Sequence, residues 1–348
     1  MALAVPGITW KGTRSAATRE LAIQIDAAWM RMLPGAQPKE WWMPLISVVP
    51  LRPDVEAVKL VVDMEDLGTF KRKVGPRTAK APPKLTFQLL PRDPWYRDRH
   101  IPINDLRFDN FMGWPDRLAA ILLAARRTPG MIFTEKLFAA TTTTLTIQGV
   151  PLIGTGHKCN FNDPDVTTTF DNLVTGNSSS STPGTMDSFG FEYAQEVMFS
   201  RPGPDGVYGL DQEINYVLGG TKMKKKFDRM FKRVIVLEDS DTNDAAAGVT
   251  NIHQTQIEGG VVAIVSSWMD RHPFKLANPT LDQWWSFSST TQARAMGMLI
   301  ENGGAPTVDV FDEGSEYARE HEHVWIKADM DCNGGAAFPQ VITEHRGA

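Results

Sequence analysis

The sequence predicts an α+β fold, and three observations carry that expectation. Apolar residues recur at helical spacing in several segments, as at Leu21, Ile25, Ala28, Trp29 and Met32. Short β-rich runs bounded by turn residues gather in the last hundred residues, at 260–268, 283–288, 307–311 and 323–328. No fixed-period repeat is visible, which sets aside solenoids and propellers. At 348 residues, 42% hydrophobic and 22% charged, the chain is ordinary in composition and long enough for one large domain or two smaller ones.

Each element follows from its local chemistry. The helical spacing over 14–33 ends at Pro34-Gly35, after which "LISVVPLRP" reads as extended, so residues up to about Pro53 form an arm with little core of their own. Asp54 to Asp66 holds five acidic residues and one basic residue, whereas Lys71 to Lys84 holds six basic residues and no acidic one. Gly75, Pro76, Pro82 and Pro83 exclude a helix there, and "LTFQLL" then returns as a strand. The segment therefore reads as a long two-stranded excursion with an acidic strand and a basic tip. Pro115 at a first-turn position opens a helix through Leu118, Ile121, Leu122 and Ala125 that Thr128-Pro129-Gly130 is expected to close. A polar loop is expected from Asn172 to Gly184, a helix from Asp187 to Ser200, and a basic amphipathic helix from Thr221 to Val234.

The net charge of −5 gives no global basic field for nucleic acid or an anionic membrane. Cys159 and Cys332 are too few for a disulfide framework and fit a reducing compartment. The longest apolar run, Leu118 to Ala125, is far shorter than a membrane span. No secretory signal is apparent, and the expectation is a soluble intracellular product with no membrane partner.

The densest run of chemistry-bearing residues is "TIQGVPLIGTGHKCNFND", Thr146 to Asp163. Gly149 and Gly154 have the first spacing of a phosphate loop, but Thr155 stands where lysine is required. His157 and Cys159 offer half a metal site, Cys332 sits in what reads as another turn, and His321 and His323 would share one face of a strand; no full ligand set is visible. Asp239, Asp241 and Asn243 imitate a calcium loop that then lacks its glycine and its glutamate. No nucleophile elbow occurs. The expectation is no catalytic residue, no cofactor and no metal. Neither basic segment, 71–84 or 222–233, carries stacking aromatics among its charges, so the first is read as a protein contact rather than a DNA contact.

"GVPLIGTGH" (Gly149 to His157) followed by "NLVTG" (Asn172 to Gly176) resembles the signature of the Mu-type major head subunits of tailed phages. Gly149, Leu152, His157, Asn172 and Gly176 keep the pattern, while Ile153 replaces a usual aromatic and Gln148 a usual aspartate. "IPINDLRFDNFMGWPDRLAAILLAA", "INYVLGGTKMKKKFDRMF" and "IEGGVVAIVSSWM" with "DQWWSFS" are similar to further family segments in the same order. The resemblance implies the HK97-like capsid fold: an N-terminal arm (1–47), an E-loop hairpin (48–103), a peripheral domain with a spine helix (104–149), an axial domain (150–308) and a return to the peripheral domain (309–348). It implies a structural major capsid protein that assembles as hexamers and pentamers into an icosahedral head around double-stranded DNA. The location would be the virion, after assembly in the bacterial host cytoplasm.

Expected intersubunit charges are Asp63, Glu65, Asp66, Lys71, Arg72, Lys73, Arg77 and Lys80 on the hairpin. Trp41 and Trp42 are read either as arm anchors on a neighbour or as intrasubunit packing. Expected partners are other copies of the chain, scaffold and portal proteins, a decoration protein and, by proximity, packaged DNA. The chain starts at the arm without a long helical extension, so a scaffold would be separate. The alternatives are an encapsulin-like nanocompartment shell and a metal-dependent enzyme using His157, Cys159 and His321 or His323.

Overall fold

The computed structural model describes residues 8–11, 27, 40–51, 55–61, 87–104, 114–160, 163, 165–176, 184–231, 235–237, 248–250, 260–289, 293–301, 306–311 and 315–347. Strands β1 (Ile8–Lys11), β2 (Ile46–Leu51), β3 (Ala57–Val61), β4 (Phe87–Pro91) and β5 (Pro94–Pro102) precede a 25-residue helix, α1 (Trp114–Phe138). Then come β6 (His157–Lys158), β7 (Thr169–Phe170), β8 (Leu173–Gly176), α2 (Ser188–Phe199), β9 (Ile214–Gly219), α3 (Lys224–Phe231), β10 (Ile235–Leu237), β11 (Gly248–Thr250) and β12 (Val262–Val265). The chain continues through α4 (Ser267–Arg271), α5 (Pro273–Ala277), β13 (Asp282–Ser288), β14 (Met296–Glu301), β15 (Thr307–Phe311), α6 (Glu316–His321), β16 (His323–Ala336) and β17 (Ile342–Gly347).

Two mixed sheets organise these elements. The first runs β1-β15-β16-β14-β2, with β5 also paired to β16; the second runs β12-β9-β13-β17-β8. Strand β16 is the spine of the first sheet. Its strict alternation buries Val324, Ile326, Ala328, Met330 and Cys332 on one face. Its first half pairs with β5 and β15, and its second half with β14. In the second sheet β13 carries "WW", and period two sends the two indoles to opposite faces. Trp285 joins the main core with Phe133, Leu137, Met298 and Ile342, while Trp284 joins a second core under α2 and α3 with Phe191, Met198 and Phe227. The second sheet is therefore covered on both sides.

Five expectations need correction. Helix α1 does not stop at Thr128-Pro129-Gly130 but runs to Phe138, with Pro129 inside it. An internal proline costs about 3 kcal/mol, and the turn beyond it buries Ile132, Phe133 and Leu137, each side chain contributing roughly 1.5–3 kcal/mol. The turn expected around Cys332 is the middle of β16, and the Asn172 loop opens as strand β8. His321 ends a helix and His323 begins a strand, so the two do not share a strand face. The strand expected to reach Trp268 ends at Val265, because Ser266 caps α4 by accepting from the Trp268 amide. Of the helix expected over 14–33 only Ala27 is described, and it is helical.

Trp42 is buried in its own chain, with Gly130 beneath it: a Cβ at Gly130 would lie 2.8 Å from the Trp42 ring. Trp41 is half-buried and meets Phe133 edge-on, ring centres 5.7 Å apart. Both indoles thus make packing contacts within their own chain. The charged hairpin residues Asp63, Glu65, Asp66, Lys71, Arg72, Lys73, Arg77 and Lys80, like the calcium-like loop at Asp239–Asn243, lie outside the described residues.

The base of the excursion, β3 antiparallel to β4, is seated on the first sheet by a pair of glycines. Gly297 on β14 and Gly335 on β16 are register partners. A Cβ at Gly297 would meet Leu60 at 2.7 Å and one at Gly335 would meet Leu90 at 2.3 Å, so the two leucines fill the space the glycines leave. Arg92 reinforces the seat, bonding to Asp331 at 2.6 Å and to the Val55 carbonyl at 2.7 Å. Replacing Gly335 with valine is expected to lower unfolding stability by about 1–3 kcal/mol through overpacking. Adding Leu90→Ala should then recover part of that loss, a non-additivity read in urea titrations of the single and double variants.

Candidate functional site

The five signature residues do not surround a ligand; they build a junction. Thr146 to Val150 closes as a tight turn, with the Gly149 amide bonded to the Thr146 carbonyl at 2.9 Å and Gly149 at φ +73°, a conformation that favours glycine. Leu152 is fully buried behind it. The amides that a phosphate loop would present are already taken: the Gly154 N–H donates to the Asn172 side chain and the Gly156 N–H to Asp171, both at 2.7 Å. An anion would find no cradle in them.

Asn172 is the centre of the junction. Its Oδ1 accepts from Gly154, and its Nδ2 donates to the Leu152 carbonyl at 2.9 Å and the Pro339 carbonyl at 3.0 Å. Its backbone N–H donates to the Gly154 carbonyl, and its carbonyl accepts from the Glu344 amide. One fully buried side chain thereby ties the 152–154 turn to the C-terminal segment. Gly176 ends β8, which begins at the next residue after Asn172, opposite Gly347.

Arg201, missed by sequence reasoning, completes the arrangement from the end of α2. Its buried guanidinium donates to the carbonyls of Pro339, Gln340 and Ile342 and to the Thr343 hydroxyl, and lies 5.4 Å from the Phe170 ring centre. Burial pulls its pKa down to about 9. No sequence signal separates this arginine from a surface one, because its acceptors are backbone atoms some 140 positions later. His157, in β6, pairs with Phe170 and stacks on its ring at 5.3 Å. Burial first, and the neighbouring Arg201 charge second, lower its pKa to about 4, against weaker pulls from Asn172 and Asp171. His345 stacks on Trp284 at 3.8 Å and shares a 2.9 Å hydrogen bond with Ser286; burial and then Arg201 hold it well below the usual histidine range.

The structure does not gather His157 and Cys159 with His321 or His323. Among the described residues no three potential metal-ligating side chains come together. Both cysteines are buried thiols whose pKa burial raises, to about 11 for Cys159 and about 12 for Cys332. His100, His321 and His323 belong instead to an aromatic group around Trp325 and Tyr317 on the first sheet. Among the described residues no helix is long and apolar enough to cross a membrane.

No family model and no curated protein matches the chain. Solved structures do. A chain of the procapsid of bacteriophage JBD30 aligns over 95% of this chain and 75% of its own length, at 11% identity and a TM-score of 0.52. The chain has that capsid fold. Two further similar structures are the mature capsid of bacteriophage PhiM1 (9% identity, 87% of this chain and 86% of that one, TM-score 0.49) and a virus-like particle from Pyrococcus furiosus (10%, 94% and 99%, TM-score 0.44).

Two outcomes follow from the junction. Asn172→Asp keeps the acceptor for Gly154 but cannot donate to the two carbonyls and places a buried charge against them, so urea unfolding should lose about 3–5 kcal/mol. The histidines set a pH dependence. Neutral in the fold and protonated in the unfolded chain below about pH 6.5, they make the unfolded state bind more protons, so stability falls as pH drops from about 6.5 toward about 4. The slope should reach about 1.4 kcal/mol per pH unit per histidine, and His157→Phe should flatten it by one such increment, measured by chemical denaturation across the range.

Proposed function

We propose that this chain is a major capsid protein of a tailed phage, of the Mu-type head-subunit kind, whose role is assembly rather than turnover. The observation that supports it is the fold shared with the JBD30 procapsid chain, reached independently of the signature at Gly149, Leu152, His157, Asn172 and Gly176. In this reading the subunits form hexamers and pentamers that close into an icosahedral head around double-stranded DNA. The arm, the E-loop hairpin with its charged strand and tip, the peripheral domain with its spine helix and the axial domain take the boundaries expected from the sequence. Oppositely charged faces on a projecting arm suit the steering of one subunit onto the next, and a closed shell needs contacts that adapt to different angles.

The reading assigns no catalytic residue, cofactor or metal. It carries with it a virion location after assembly in the host cytoplasm, and scaffold, portal and decoration proteins as partners. Buried Asn172, Arg201 and His157 act as internal ties in it, and the shell contacts fall on the surface.

Negative-stain electron microscopy of the purified full chain, alone and co-expressed with a candidate scaffold protein, tests the reading. Closed shells, tubes or capsomer rings are expected. A chain that sediments as a monomer in both preparations overturns it, and shells enclosing a co-expressed enzyme rather than DNA would replace it with the nanocompartment.

A further inference from the structure

The turn between α2 and β9 is built firmly and carries large apolar side chains into solvent. Val207 is 76% exposed, Tyr208 65% and Phe199 52%. The exposure does not come from a loose loop. The Gly203 amide donates to the Tyr208 carbonyl at 2.7 Å, the Gly206 amide to the Gly203 carbonyl at 2.9 Å, and the Leu210 amide to the Arg201 carbonyl at 2.8 Å. Asp205 Oδ1 accepts from the amides of Val207 and Tyr208, and the Thr168 hydroxyl donates to the Gly206 carbonyl. Gly206 adopts φ +70° with Thr168 so near that a Cβ would lie 2.7 Å from its hydroxyl. Arg201, buried in the junction, anchors the first residue of the turn. A rigid tip of this kind has lost its conformational entropy in advance, which lowers the cost of burying it against a partner.

The surroundings of the tip say what the partner carries. Glu196, Asp205 and Asp211 are exposed around it, an acidic rim on an apolar centre. The opposite chemistry stands at the other end of β9. There Lys222, Lys224 and Lys225 are exposed on α3 and the turn before it, while Lys226 is tied to Asp282 within the chain. Further along α3, Phe231, Val261 and Ala263 form a half-buried apolar seam where the helix lies against β12, the edge strand of the second sheet; it lies toward the Ile214 end of β9, since Val262 is the register partner of Tyr216. The tip precedes Ile214 and the basic helix follows Gly219, so the six residues of β9 hold them about 20 Å apart. The tip is also fastened toward β7 and β17, on the far side of the sheet from β12. The tip and the lysines therefore cannot meet within one chain, and the seam lies across the sheet from the strands that fasten the tip, so a contact between the two surfaces is head-to-tail, the type that can close rings.

We propose that the Val207–Tyr208 tip of one copy docks on the basic α3–β12 edge of the next copy, with the acidic rim of the tip facing Lys224 and Lys225. This inference rests on the shell reading and specifies one contact within it. Tip and seam supply the desolvated apolar centre, and the opposite charges fix direction and exclude tip-to-tip pairing through like-charge repulsion.

A cysteine pair tests the contact against a low background, because both native cysteines are buried. Tyr208→Cys with Lys224→Cys, treated with a short bismaleimide in assembled particles, should give a ladder of cross-linked oligomers on denaturing gels that neither single variant gives. Val207→Asp should lower the assembled fraction about tenfold, the scale of an interface anchor, with an unchanged thermal midpoint for the monomer. Particles that form without the ladder overturn this contact and leave the shell reading standing. Cross-linked dimers from Tyr208→Cys alone also overturn it, since they place tip on tip. Monomers under every condition overturn both.

Discussion

The C-terminal turn at residues 339–343 is held by two side chains that reach it from distant parts of the sequence. Arg201 encloses it with donors to three carbonyls and a hydroxyl, and Asn172 donates to Pro339 from the other side. That turn joins β16 of the first sheet to β17 of the second, so its conformation fixes how the two sheets share the core between them. A buried guanidinium is expensive unless its donors are satisfied. Here the two terminal nitrogens reach three backbone oxygens and the Thr343 hydroxyl, while the buried Nε is left without a partner.

The same burial explains why the histidines nearby stay neutral. His157 and His345 both lie close enough to Arg201 for its charge to oppose a second one, and both are stacked on aromatic rings; the pull of Asp171 on His157 is the weaker effect. They are packing residues with a polar edge. The glycines of the 149–156 run serve the junction too, giving their amides to the Asn172 and Asp171 side chains and to the Thr146 carbonyl. A run that looks chemical in sequence is consumed by folding.

Rigidity inside contrasts with the surfaces the fold leaves available. The paired strands β3 and β4 are seated by glycines at 297 and 335 that admit Leu60 and Leu90. The tip at 203–208 is anchored directly to the junction through Arg201. The seat of β3 and β4 and the apolar tip thus belong to the same frame of two sheets.

The α+β class, the strand candidates at 283–288 and 307–311, the helix near 187–200 and the paired strands at the base of the excursion were legible in the residues alone, because each rests on local periodicity and on prolines and glycines acting within a few residues. The sequence also singled out Asn172 and the glycines of 149–156 through a resemblance, without showing what they do. That α1 continues past Pro129 depends on packing, since the gain comes from burying Phe133 and Leu137 against distant strands. The tertiary structure alone decided that Trp42 lies in its own core against Gly130, that Cys332 sits in mid-strand, and that Arg201 is buried. The physical reason is common to all four: their energies come from partners far away in the chain, and no local pattern records where those partners will be.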